Sequence, residues 1–232
     1  MKLAIISDIH ANLPALRVCL DRIDAENVDK IVCLGDFVGY GPYPNECCDL
    51  LRERGIDSVL GNHDGAITGD VSLKLFREPN HSLLKWTGKK ITDVNRKYLE
   101  SFELTMSNEV WLAAHSSPID PERWTYLDSA LTCREVLKTV KQDFVLVGHT
   151  HRPAVIAEKL GTFKVRPGQR YVINPGSVGQ SRDHDTRASF GILDTQNRSY
   201  ENIRLDYSVQ KVLDRYSSIG FTKNQGKQML GV

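Results

Sequence analysis

The chain has 232 residues, of which 41% are hydrophobic and 25% charged, with a formal net charge of +1. That length fits one α/β domain spanning 1–232, large enough to bury a core without staples, and the proportions are those of a globular protein. A near-neutral balance without a dense Lys/Arg run argues against a nucleic-acid or membrane surface, and no apolar stretch approaches membrane-spanning length.

The first element is a buried strand at 2–6, Lys-Leu-Ala-Ile-Ile. Leu16, Cys19, Leu20 and Ile23 then repeat at helical spacing. A second strand runs over 30–34 and stops at Gly35. Pro44 suits the first turn of a helix carrying Cys47, Leu50 and Leu51, which ends at Gly55. A third strand at 56–60 stops at Gly61. This strand–helix alternation predicts parallel pairing through right-handed crossovers.

Residues 66–105 break the rhythm and read as a helical insertion, with a helix from near Thr92 presenting Val94, Tyr98, Leu99 and Phe102. A strand at 109–114, a helix at 131–141 and a buried strand at 144–147 follow. Beyond Pro153 the pattern turns to consecutive strands at 154–158, 163–166, 170–174, 188–194 and 199–205. A helix with Val209, Val212, Leu213 and Tyr216 closes the fold, and the polar tail from about 219 is expected to be loosely held.

The cysteines, at 19, 33, 47, 48 and 133, are odd in number and form no C-x-x-C pair. Buried thiols in a reducing compartment are the plain reading. The N-terminus offers no signal-peptide pattern, so a cytoplasmic protein is expected.

Each apolar strand runs into a short loop dense in Asp, His or Asn. These are Asp8-Ile9-His10, Gly35-Asp36, Gly61-Asn62-His63-Asp64, His115 and Gly148-His149-Thr150-His151. Ligands bind at the carboxyl ends of strands in open α/β sheets, so five strand ends bring their polar groups to one edge. Imidazole with carboxylate suits manganese, iron, cobalt, nickel or zinc. The glycines at 35, 61 and 148 allow close backbone approach or positive φ. Two divalent ions bring four positive charges, and Asp8, Asp36 and a bridging hydroxide return three. The site therefore stays positive and attracts phosphate, while bound water becomes a nucleophile near neutral pH. His81 and His184 read as ordinary polar residues, and dispersed histidines without a cysteine pair do not suit structural zinc.

In this order, the D-x-H, G-D, G-N-H-D, H and G-H-x-H motifs resemble the calcineurin-like metallophosphoesterase superfamily over residues 1 to about 205. Gly35-Asp-Phe-Val-Gly-Tyr-Gly-Pro-Tyr-Pro-Asn45 and Asn174-Pro-Gly-Ser-Val-Gly-Gln-Ser-Arg-Asp183 are similar to its small prokaryotic single-domain branch, grouped with phosphodiesterases and diadenosine tetraphosphatase relatives. The resemblance implies a four-layer αββα sandwich of two mixed sheets flanked by helices. It implies two divalent transition metals, manganese or iron favoured. Asp8, His10, Asp36 and His151 would hold the first, and Asp36, Asn62, His115 and His149 the second. His63, oriented by Asp64, would donate a proton to the leaving oxygen, and Asn62 and His63 would touch the substrate. In-line attack by hydroxide bridging the metals would then hydrolyse the ester. Where the Ser/Thr protein phosphatases and symmetrical diadenosine tetraphosphatases carry an Arg, this chain has Tyr40, which cannot hold phosphate bidentately. Arg182 is the candidate to supply that cation.

The expected activity is that of a phosphoric ester hydrolase, a phosphatase or phosphodiesterase acting on a small-molecule ester or nucleotide. The runner-up is an asymmetrically cleaving diadenosine polyphosphate hydrolase, with Trp86 or Tyr98 stacking on a base. A protein phosphatase, a non-catalytic scaffold of the same fold and a DNA-repair nuclease follow further behind.

Overall fold

The computed structural model describes residues 1–159 and 165–232. Its elements, numbered in chain order, begin with β1 (Lys2–Ile6), α1 (Leu13–Asp24), β2 (Lys30–Cys33), α2 (Pro44–Glu53), β3 (Asp57–Ser58) and α3 (Asn62–Thr68). After a 3-10 turn at Leu73–Leu75 come α4 (Asn80–Lys90), α5 (Asp93–Glu100), β4 (Thr105–Ser107) and β5 (Trp111–Ala114). A second 3-10 turn, Pro121–Arg123, precedes α6 (Ala130–Thr139), β6 (Phe144–Leu146), β7 (Ala154–Ala157) and β8 (Tyr171–Asn174). The chain closes with β9 (Ala188–Asp194), β10 (Ser199–Leu205), α7 (Val209–Ser218) and α8 (Lys223–Leu230).

The strands form two mixed five-stranded sheets, ordered β10-β9-β1-β2-β3 and β4-β5-β6-β8-β7. In the first, β1, β2 and β3 run parallel and β9 joins β1 antiparallel. In the second, β5, β6 and β8 run parallel between antiparallel edges. Period-two alternation explains the stacking. Leu3, Ile5, Val32 and Leu34 meet Trp111, Phe144, Leu146, Tyr171 and Ile173 between the sheets. Ala4, Ile6 and Cys33 face outward into a core with Ala15, Leu16, Cys19 and Leu20 of α1. On the opposite side Val145 and Val172 pack on Cys133, Val136 and Leu137 of α6. Strands covered on both faces must be apolar throughout, which is why they read as continuous hydrophobic runs. The result is the expected α/β architecture, two sheets flanked by helices.

Local chemistry sets the boundaries. The Asn12 side chain caps α1 by accepting from Ala15 N at 3.2 Å, and Thr92 caps α5 by accepting from Asn95 N at 3.2 Å. The strand expected at 56–60 shrinks to two residues, since the Leu60 amide donates instead to Glu103 O at 2.8 Å. Of the strand expected at 163–166, residues 163 and 164 lie outside the described residues, and 165 and 166 are not in a strand. The tail is a correction. From 223 it forms α8, which buries Met229 and Leu230 against Leu83, Val212, Leu213 and Tyr216. No described helix is long and apolar enough to cross a membrane.

Candidate metal centre

The parallel strands β1, β2, β5 and β6 end on one rim, and the candidate ligands leave them there. The rim spans both sheets, where the sequence alone suggested one edge. Asp8 and His10 follow β1, Asp36 follows β2, His115 follows β5, and His149 and His151 follow β6. Asn62 and His63 open α3, immediately after the shortened third strand.

These side chains converge in the protein interior. Asp8, His10, Asp36, His115 and His151 are buried to within 2% exposure, so their charges and lone pairs have little access to water. The His151 Nε2 lies 3.2 Å from Asp8 Oδ1 and 3.1 Å from His10 Nε2. Nε2 of His115 lies 3.3 Å from Asp36 Oδ2, 3.2 Å from Asn62 Oδ1 and 3.1 Å from His149 Nδ1. Asp36 also faces the first group, its Oδ2 being 3.6 Å from His10 Nε2. Donors about 2.1 Å from a shared ion stand roughly 3 Å apart, so these separations fit two adjoining cation sites with Asp36 between them.

Protonation supports that fit. Nδ1 of His10, His115 and His151 faces the carbonyls of Val38, Leu34 and Gln180 at 3.0, 2.7 and 2.5 Å. A ring that donates from Nδ1 turns a bare Nε2 lone pair inward, the tautomer a metal ligand needs. Burial pushes the His149 imidazole down to about 3 and holds His10 well below its ordinary value. Burial also opposes charge on Asp8 and Asp36, but adjacent imidazoles outweigh it and hold both carboxyls well below their usual range. At His115 burial is overcome by Asp36 and Asp8, which carry the ring up to about 9. A proton on this ring answers the same carboxylates that a cation would.

The backbone bears the strain of this convergence. Asp8, His10, Asp36, His149 and His151 all have φ between 48° and 65°. Each such non-glycine residue costs on the order of 1–3 kcal/mol, although Asp and His tolerate the region better than most.

His63 and Asp64 depart from expectation. Asp64 Oδ1 accepts from the amides of Phe37 and Val38 at 2.9 and 3.2 Å, and Oδ2 from Gly61 at 3.2 Å. It fastens the turn after β2 to the start of α3, and among the described residues it makes no hydrogen bond to His63. The Nδ1 of His63 is buried without a partner against Gly39, where a Cβ would sit 2.1 Å away. The His63 ring is held by packing, edge-on to His10 at 4.7 Å and to Phe76 at 4.9 Å, and tilted on Tyr40 at 4.8 Å. Its backbone amide donates to Asp36 Oδ1 at 2.8 Å.

A cleft of 570 Å³ opens above the cluster, with Asp36, Asn62, His63, His149 and His151 on its floor. Arg182 enters from the loop after β8, where its Nη2 donates to Tyr40 Oη at 3.0 Å. Arg182, the candidate to supply the cation that relatives carry at the position of Tyr40, therefore stands directly beside that tyrosine. Tyr40, Phe76, Trp124 and Tyr126 are the aromatic lining of the cleft, with Tyr126 stacked on His149 at 4.0 Å between centroids. Trp86 and Tyr98 do not line it. Trp86 packs against the α4, α7 and α8 cluster, and Tyr98 sits between Phe37 and Phe102. The signal for part of this lining lay in Pro121-Glu-Arg-Trp-Thr-Tyr126, an aromatic pair in the loop that leaves the His115 strand end. His81 stays apart, with Nδ1 facing the Leu73 carbonyl at 3.0 Å.

Residues 1–198 match the profile of the calcineurin-like phosphoesterase superfamily domain. The chain is 36% identical over 242 residues to an uncharacterised protein of Methanocaldococcus jannaschii, covering 99% of this chain and 95% of that one. It is 24% identical over 212 residues to a phosphodiesterase of the same organism, covering 89% of this chain and all of that one. Among solved structures, a metallophosphoesterase from Sphaerobacter thermophilus superposes with a TM-score of 0.86 at 34% identity, over 100% of both chains.

Proposed function

Because the chain belongs to the calcineurin-like phosphoesterase superfamily, we propose that it is a metal-dependent hydrolase of small phosphate esters or nucleotides, with the buried Asp/His cluster as its metal centre. The observation that carries this reading is the set of inward-facing nitrogen and oxygen donors about 3 Å apart at the floor of a cleft. Asp8, His10, Asp36 and His151 would hold one divalent transition ion, and Asp36, Asn62, His115 and His149 a second. Bound there, the ions would supply Lewis acidity and a water acidified toward neutrality.

The chain's own groups handle the rest. Arg182, with no carboxylate partner among the described residues, is free to pair with phosphoryl oxygens. Asn62 and His63 face the same phosphoryl group. Burial pushes the His63 imidazole down to about 4, so the ring is neutral near pH 7. A neutral ring still carries one N–H. With Nδ1 sealed against Gly39, Nε2 is the nitrogen available to donate to the leaving oxygen. The surrounding aromatic rings hold it in place, and Asp64 acts indirectly by fixing the backbone of α3.

Metal analysis combined with kinetics tests this assignment. Protein loaded with Mn²⁺ should retain about two ions per chain and hydrolyse bis-p-nitrophenyl phosphate. Asp36→Asn should lose metal, because it weakens both sites. His63→Ala should keep it and lose roughly 100-fold or more in kcat. Equal metal loss in the two variants makes His63 a ligand beside His10 and Asp36, a grouping their proximity also permits. A wild-type chain that neither binds transition metal nor responds to Mn²⁺ is a scaffold and ends the enzymatic reading.

A second reading, asymmetric cleavage of diadenosine polyphosphates, draws on the exposed Tyr126 ring beside Trp124, which offers a base a stacking surface. Diadenosine tetraphosphate would then yield ATP and AMP, and its survival intact removes this alternative.

A further inference from the structure

The match to the family profile stops at residue 198, yet the lining of the cleft continues beyond it. Gln228 and Met229 of α8 line it together with His63, His151 and Arg182. Met229 is 1% exposed and fixes the helix, whereas Gln228 is exposed, and among the described residues nothing hydrogen-bonds its side chain. The helix is seated closely. A Cβ at Gly226 would fall 2.8 Å from the Tyr216 ring, so α8 approaches α7 at a distance only glycine permits. Tyr216 in turn donates from its hydroxyl to the Tyr40 carbonyl. The Tyr40 ring lies edge-on to His10 at 4.6 Å, and its hydroxyl receives Arg182. The C-terminal helix pair thus reaches the site through contiguous contacts and presents one unengaged amide to the cleft.

We infer that α8 is a wall of the substrate site and that Gln228 is a specificity-determining residue, pairing through its amide with a polar organic group of the bound ester such as a sugar or base. An amide offers both donor and acceptor, which matches hydroxyls and base edges, whereas a bare phosphate dianion could use only its donor half. The inference rests on the phosphoesterase reading for the position of the phosphoryl group. Its own content is the organic contact.

Calorimetric titration of the Mn²⁺-loaded full chain with thymidine 5′-phosphate and with inorganic phosphate separates the two. Wild-type protein should bind the nucleotide more tightly than phosphate. Gln228→Ala should weaken nucleotide binding about 2- to 10-fold, the worth of one neutral hydrogen bond, and leave phosphate binding and Tm unchanged. The bulky Gln228→Trp should weaken the nucleotide further. The idea is overturned if wild type shows no preference for the nucleotide, or if either variant shifts both ligands equally. Failure to hydrolyse any ester while this binding difference persists would remove the enzymatic reading and keep the wall.

Discussion

Arg182 is the residue on which substrate affinity is expected to depend most. Its guanidinium faces the cleft with, among the described residues, only Gln180 and Tyr40 as side-chain hydrogen-bond partners, so its charge is available to an anion. Arg182→Ala should lower kcat/KM about 10- to 150-fold, the range for a charge-assisted hydrogen bond, with metal content intact. Unchanged kcat/KM across every good substrate would make it a surface cation. The convergence of the candidate ligands was legible in the sequence, because Asp, His and Asn right after apolar strands have one shared destination in an α/β sheet. The partner of Asp64 was not legible. A carboxylate beside a histidine suggests a pair, yet three backbone amides from loops 61 and 37–38 compete for it, and their arrangement exists only in three dimensions.

Between elements, Asp64 is the clamp that joins the turn after β2 to α3, and so holds Asp36 against the start of that helix. Asp64→Ala would leave three buried amides without acceptors, each worth about 1–3 kcal/mol. Loss of at least 3 kcal/mol in urea unfolding of the metal-free protein is therefore expected, with Asp64→Asn intermediate. A change below 1 kcal/mol would mean that water takes over the amides. Elements with strong periodicity, such as β1, β2, α1 and α7, were readable because their apolar spacing is dictated by burial. The α8 helix was not. In Lys-Asn-Gln-Gly-Lys-Gln-Met-Leu only the last two residues are strongly apolar, and the helix is stabilised by docking on Tyr216 and Leu213. β4 escaped for a similar reason, since Thr105–Ser107 is a strand only by its pairing with β5.

At the scale of the molecule, all five cysteines are free and buried, four in the core under α1 and α2 and Cys133 beneath α6. Burial raises every one of these thiols, Cys19 to about 12 and Cys133 to about 11. Thiolate is the reactive form, so a disulfide reagent at pH 8 should label almost none of them in the native protein and all five after denaturation. Rapid labelling of the folded chain would contradict the packing. The expectation of buried thiols came from their place in apolar runs, whereas the division into four packed cores depends on the stacking of the two sheets and on β9 returning to β1 from the far end of the chain.

The left-handed turns beneath the Asp and His side chains carry an evolutionary implication. In those five positions the conformation that aims a donor inward is one the unfolded chain would rather leave, so under the proposed function selection for catalysis and selection for robustness pull in opposite directions. A descendant released from catalysis would gain by putting glycine there, and the rim would drift first in any lineage that kept this architecture for another purpose.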